Sequence, residues 1–149
     1  MISLPKRVVC GIAAAVISVL IFHQGMWALL HFLSLPGYEM PAPFPIDGVP
    51  PWGVPRLISL CFWGGVWGAV FGAVCRDPSW KTGLLLGFAA ALFGLFVVAA
   101  LKGRPIGGGW VLANWVRSLL INGSWGIGTG LMLGQYYTAN RDESVPVRH

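Results

Sequence analysis

Charge is what this chain has least of. Only 10% of its 149 residues are charged, against roughly 25% in an ordinary soluble domain. With 56% hydrophobic residues there is too little charge to coat a water-soluble globule, so a membrane protein is expected. The acidic residues number five. None falls inside an apolar run, so no carboxylate pair, no nucleophile beside a base and no metal cluster is in view. The reading is therefore non-enzymatic, with no catalytic, cofactor-binding or metal-ligating residue. Cysteine is scarce too: Cys10, Cys61 and Cys75 lie apart without C-x-x-C spacing. That excludes a disulfide framework and leaves them as small buried hydrophobes. Histidine is equally sparse, and no third histidine joins His23 and His31 in another apolar run. Haem, ligated from opposite sides of its iron, would need an oligomer. The net charge of +5 comes from basic residues placed singly at the ends of apolar runs, as topology signals are. Nucleic acid is not an expected partner.

What the chain has in plenty is apolar length and glycine. Four runs stand out, at about 8–33, 57–74, 82–101 and 111–136. Each is close to the ~20 residues that a spanning helix needs. The expected fold is thus an all-α membrane protein with four transmembrane helices, a single domain over 1–137, and a disordered polar tail over 138–149. Lys6 and Arg7 before the first run resemble the start of a signal peptide. The run continues unbroken past Ala13-Ala14-Ala15, however, beyond the usual 7–15-residue apolar stretch. It is read as a retained first helix.

The second run holds Trp63-Gly64-Gly65-Val66-Trp67-Gly68, in which Gly64, Gly68 and Gly72 recur every fourth residue. On a helix such glycines form one groove where another backbone can approach closely. The phrase returns in the fourth run as Trp125-Gly126, with Gly130 and Gly134. In both runs an arginine, Arg56 or Arg117, precedes it. This predicts two tandem helical hairpins related by an axis along the membrane normal, with glycine ladders as their packing faces. The third run has no ionisable residue and reads as packing and lipid contact. The short segment Arg76-Asp77-Pro78-Ser79-Trp80-Lys81 makes the second and third helices antiparallel neighbours.

Polar residues inside the runs are the candidates for function. His23, Trp27 and His31 share one helical face. The two histidines are about 12 Å apart along the axis, too far to share one metal ion. In the fourth run Asn114, Ser118 and Asn122 continue the glycine stripe outward. His23, His31, Asn114, Ser118 and Asn122 therefore make a candidate polar cavity, with His23 facing Asn122 or Ser118. The segment 34–56 is dense in proline and carries Tyr38, Phe44 and Trp52. It is expected to fold over the helix ends as a stiff lid. Gly107-Gly108-Gly109 lacks the Gly-Lys-Ser/Thr ending of a phosphate loop and reads as a flexible connector.

The phrases Phe22-His23-Gln24-Gly25, Val49-Pro50-Pro51-Trp52-Gly53-Val54-Pro55 and Phe62-Trp63-Gly64-Gly65-Val66-Trp67-Gly68 resemble those of a group of small uncharacterised bacterial four-helix membrane proteins. The resemblance covers most of the chain short of its tail. It implies the fold and a bacterial inner-membrane location, and carries over no catalytic residue. Lys6, Arg7, Arg76, Lys81, Arg141 and Arg148 on the terminal side outnumber Arg56, Lys102 and Arg104 on the other, even with Arg117 at its edge. Cytoplasmic termini and an external proline-rich segment are therefore expected. The expected role is that of an accessory or scaffold protein, homo-oligomeric or bound to other membrane proteins within the lipid bilayer. The alternative is a small-solute or ion transporter or channel with a polar outer cavity.

Overall fold

The computed structural model describes residues 2–142. The chain is mostly helical, at 76%. Four long helices account for this: α1 (Leu4–Leu33), α2 (Arg56–Val74), α3 (Trp80–Leu101) and α4 (Leu112–Asp142). A two-residue antiparallel ribbon, β1 (Gly48–Val49) and β2 (Val54–Pro55), precedes α2. A 3-10 turn, Ile106–Trp110, leads into α4. Among the described residues α1, α2 and α3 are long and apolar enough to cross a membrane.

α1 begins earlier than its apolar run, because Pro5 falls in the first turn, where its missing N–H costs nothing. α4 runs later than expected. Residues 138–142 belong to it, not to a disordered tail, and Thr138 Oγ1 donates to the Gly134 carbonyl at 3.1 Å. Residues 143–149 of the expected tail lie outside the described residues. At 31 residues α4 is the longest unbroken α-helix, yet glycines and polar residues dilute it. It lies against both α1 and α3 and buries Ile121, Trp125, Thr129, Leu133 and Tyr137.

The packing follows the glycines. α1 lies along α2, α3 lies along α4, and α1 and α4 join the two pairs. A methyl placed on Gly68 would collide with the Gly11 carbonyl and the Ala15 side chain, and one on Gly72 with the Arg7 carbonyl. On Gly64 it would fall 2.7 Å from Val19 Cγ2. In the other pair, Gly83 and Gly126 each meet the other's carbonyl, and Gly87 meets that of Asn122. Gly130 meets Ser79 O, and a methyl on Gly134 would lie 2.6 Å from Pro78 O. Gly87 belongs to the packing side of α3, since α4's backbone lies against it. One sequence expectation changes here. α2 and α3, although joined by the short turn, touch little, with Trp67 against Phe93 at 5.6 Å. A short loop brings helix ends together, but the small-residue faces of α2 and α3 point to different partners.

Polar side chains stitch the α1–α4 seam. Ser18 Oγ donates to the Trp125 carbonyl at 2.6 Å, while Trp125 Nε1 donates to the Ala15 carbonyl at 3.0 Å. Ser124 Oγ donates to the Phe22 carbonyl at 3.2 Å. At the terminal end, Arg7 donates through Nη2 to the carbonyls of Ala73 (2.8 Å) and Cys75 (3.0 Å), and through Nε to the Tyr137 hydroxyl (3.1 Å). It closes the carbonyl end of α2, where a cation also complements the helix dipole. The N-terminal end of α1 therefore sits beside the C-terminal ends of α2 and α4.

Gly68→Leu and Gly87→Leu should each lower thermal stability in detergent by at least the ~1–3 kcal/mol typical of overpacking. Gly68→Ala should cost nearly as much, because even a methyl collides. Gly25→Leu should not lower the melting temperature, since a Cβ there meets nothing within 4 Å. Equal losses at Gly25 and Gly68 would contradict the packing described.

Candidate functional site

The π turn Val19–His23 interrupts α1 and ends on His23, which is 7% exposed. Such turns are rare and are frequent at functional sites. Beyond it, Gln24, Trp27 and Leu30 are buried. These residues do not open a passage; they hold the proline-rich segment. Phe44 N donates to Gln24 Oε1 at 2.6 Å, Trp27 Nε1 to the Pro41 carbonyl at 2.8 Å, and His31 Nδ1 lies 2.7 Å from the Met40 carbonyl. A carbonyl only accepts, so His31 carries its proton on Nδ1. The Phe44 amide only donates, which turns the Gln24 side-chain NH2 toward His23 Nδ1, 3.3 Å away. His23 then carries its proton on Nε2.

The segment's composition explains this arrangement. Proline offers a carbonyl without an N–H, so a chain rich in it needs donors from elsewhere. Trp27 and His31 supply two from α1, and Arg117 supplies a third from α4, donating to the Glu39 carbonyl at 2.9 Å. The segment repays α2 in kind. Arg56 N and Leu57 N, orphan donors at a helix start, bond to the carbonyls of Asp47 and Pro45, both at 2.9 Å. The Arg56 guanidinium also pairs with the Asp47 carboxylate. The Glu39 carboxylate accepts from its own amide and from that of Gly37, which holds its pKa below the ordinary value.

Of the five candidate residues of the polar cavity, hydrogen bonds tie His23, His31, Asn114 and Asn122 to their own surroundings. Asn122 Nδ2 donates to the Ser118 carbonyl of its own helix at 2.9 Å. Asn114 is engaged twice, donating through Nδ2 to Gly108 O at 2.7 Å and accepting from Arg117. No hydrogen bond links His23 to Asn122 or Ser118 among the described residues. A cavity of about 410 Å³ lies at the end of α3, bordered by Asn114 alone of the five, and another of about 530 Å³ lies at the opposite end beside Ser79 and Gln135. The six ladder glycines, Gly64, Gly68, Gly72, Gly126, Gly130 and Gly134, sit against backbone or side chain as described above.

The Gly107–Gly109 turn is not a slack connector. All three glycines take left-handed φ near +61° to +68°, a conformation open to glycine without strain, and Trp110 follows at +59°. Trp115 Nε1 donates to Gly107 O at 2.8 Å, and Trp110 stacks on Trp115 with ring centroids 5.9 Å apart. Sequence reasoning also missed Arg7, which it took for a topology signal alone. Its neighbours Ala73, Cys75 and Tyr137 lie far along the chain, and no local pattern names them.

Comparisons with protein-family models, with curated proteins and with solved structures found no match.

Gln24→Leu removes the acceptor of the Phe44 amide in a partly buried hydrogen bond, a loss of about 1 kcal/mol. Amides of residues 38–47 should then exchange with deuterium faster, and this segment should become protease-sensitive. Asn122→Ala, which removes a side-chain hydrogen bond made within its own helix, should leave both unchanged. Unaltered exchange in Gln24→Leu would show that the segment is held by something else.

Proposed function

We propose that the chain is a non-enzymatic, multi-pass inner-membrane protein that crosses the bilayer four times and serves as an accessory or scaffold for other membrane components. Three helices already meet the length and apolarity required. α4, at 31 residues and covered by α1 and α3, is read as the fourth span. The pairs α1–α2 and α3–α4 are read as tandem hairpins packed on their glycine ladders. Both pairs begin with a helix broken by a π turn, Val19–His23 and Gly94–Val98, and both end with the Trp-Gly phrase. This supports a parallel repeat.

The observation that carries the scaffold reading is the engagement of the polar groups. Gln24, Trp27, His31, Asn114 and Arg117 hold backbone or one another, and backbone contact at the glycines closes the interior. Meanwhile Phe62, Trp63, Val66 and Val70 leave one side of α2 exposed, and Trp52 at the tip of the β1–β2 ribbon is 85% exposed. These are surfaces for lipid and for neighbouring membrane proteins, a second copy included. The charge bias places the termini in the cytoplasm and the ribbon outside. The transport alternative rests on the π turn at buried His23.

Photo-crosslinking residues at Trp52 and at Trp63, activated in native membranes, should give discrete protein adducts, while proteoliposomes of the purified protein should remain tight to small cations and solutes. Absence of adducts at both positions, together with a flux abolished by His23→Phe, would replace the scaffold with a transporter.

A further inference from the structure

The cavity of about 410 Å³ at the end of α3 falls within the ~300–1,000 Å³ typical of ligand pockets, and its lining is of two kinds. One wall is apolar, built from Gly94, Leu95 and Val98 of the π turn. Gly94 opens this wall, since a Cβ added there would meet nothing within 4 Å. The rim is cationic, with Lys102 and Arg104 both exposed. Neither Lys102 nor Arg104 takes part in the Arg56–Asp47 ion pair. Arg117 donates to the lining residue Asn114 and to the Glu39 carbonyl, so it is engaged outside the pocket. Two cations thus border a largely apolar pocket at a helix end, where the boundary between hydrocarbon and water falls for a spanning helix.

Lys102 and Arg104 are also the residues that run against the charge bias of the chain, lying on its sparser side. A topology signal has no use for them there; a bound anion does. Arginine presents forked donors that match a phosphate, and lysine adds a point charge. Basic pockets between spanning helices take phospholipid head groups. We infer that this cavity binds the phosphate-bearing head of an anionic amphiphile, with the phosphate against Lys102 and Arg104 and the first methylenes on Leu95 and Val98. The inference needs the helices to lie in a membrane, but neither the scaffold role nor the orientation of the termini.

The test uses the full chain in a neutral detergent, titrated with phosphatidylglycerol, phosphatidylcholine or inorganic phosphate while the melting temperature is followed. Phosphatidylglycerol should raise it and phosphatidylcholine should not. Each rim cation near a charged head is worth about fivefold in affinity. Lys102→Gln with Arg104→Gln should therefore weaken the phosphatidylglycerol response roughly 25-fold, while Lys6→Gln with Lys81→Gln, at the opposite end, should leave it unchanged. Gly94→Phe projects a ring from a position where a Cβ meets nothing within 4 Å; it should abolish the lipid response while the protein without lipid melts as before. Equal responses to the two lipids, or a response untouched by the double rim variant, would overturn the inference. Inorganic phosphate protecting as well as phosphatidylglycerol, with Gly94→Phe without effect, would assign the rim to a free anion and overturn the amphiphile.

Discussion

Everything in this molecule depends on helix backbones being allowed to touch. Between apolar helices in a bilayer there is no hydrophobic drive to associate, so packing and interhelical hydrogen bonds must do the joining. Glycine makes both possible by removing the side chain that would hold the backbones apart. Gly11 against Gly68, and Gly83 against Gly126, bring carbonyls of one helix onto the Cα surface of the next. Once the pairs are that close, the Ser18, Trp125 and Ser124 bonds across the α1–α4 seam fall into range. A glycine in a soluble helix interior costs roughly 1 kcal/mol; here that cost is offset by contacts that no larger residue permits.

The proline-rich segment has the opposite difficulty and solves it with the same helices. It has carbonyls in excess and few amides, so its order depends on donors that α1 and α4 project toward it. Trp27, His31 and Arg117 are long or flat side chains that reach past their own helix surface. Gln24, which is fully buried, both accepts from Phe44 and steers His23. The polar face of α1 is thus a mount for a strap, and the strap in turn closes the open amide end of α2 through Asp47 and Pro45.

Much of this was legible in the residues. The helices follow from apolar runs, and the ladder positions follow from a four-residue period that one backbone dictates. The placement of 34–56 over the helix ends was expected, but side-chain donors of α1 and α4 hold it while Phe44 and Trp52 stay exposed. What failed were inferences that depend on facing. The third run read as packing and lipid contact without saying which face did which, and Gly83 and Gly87 prove to lie on the side that meets α4's backbone. The shared stripe of Asn114, Ser118 and Asn122 suggested one cavity, but the α4 face at Asn122 lies against α3, away from the α1 seam. Arg7 and Lys102 look alike as flanking cations. Only three dimensions separate the cap on α2 from the rim of a cavity.

The central claim is the pairing of α1 with α2 and of α3 with α4 through their small-residue faces, with little contact between α2 and α3. Thiol crosslinking in native membranes, in a background without Cys10, Cys61 and Cys75, measures it directly. A Cβ on Gly65 lies 3.4 Å from Ile12 Cγ2, and one on Gly123 lies 3.3 Å from Leu84 Cδ1. Ile12→Cys with Gly65→Cys, and Leu84→Cys with Gly123→Cys, should therefore each form a disulfide rapidly under mild oxidation, while Gly65→Cys with Leu84→Cys should not. Rapid closure of that last pair, with the first two remaining reduced, would contradict the account.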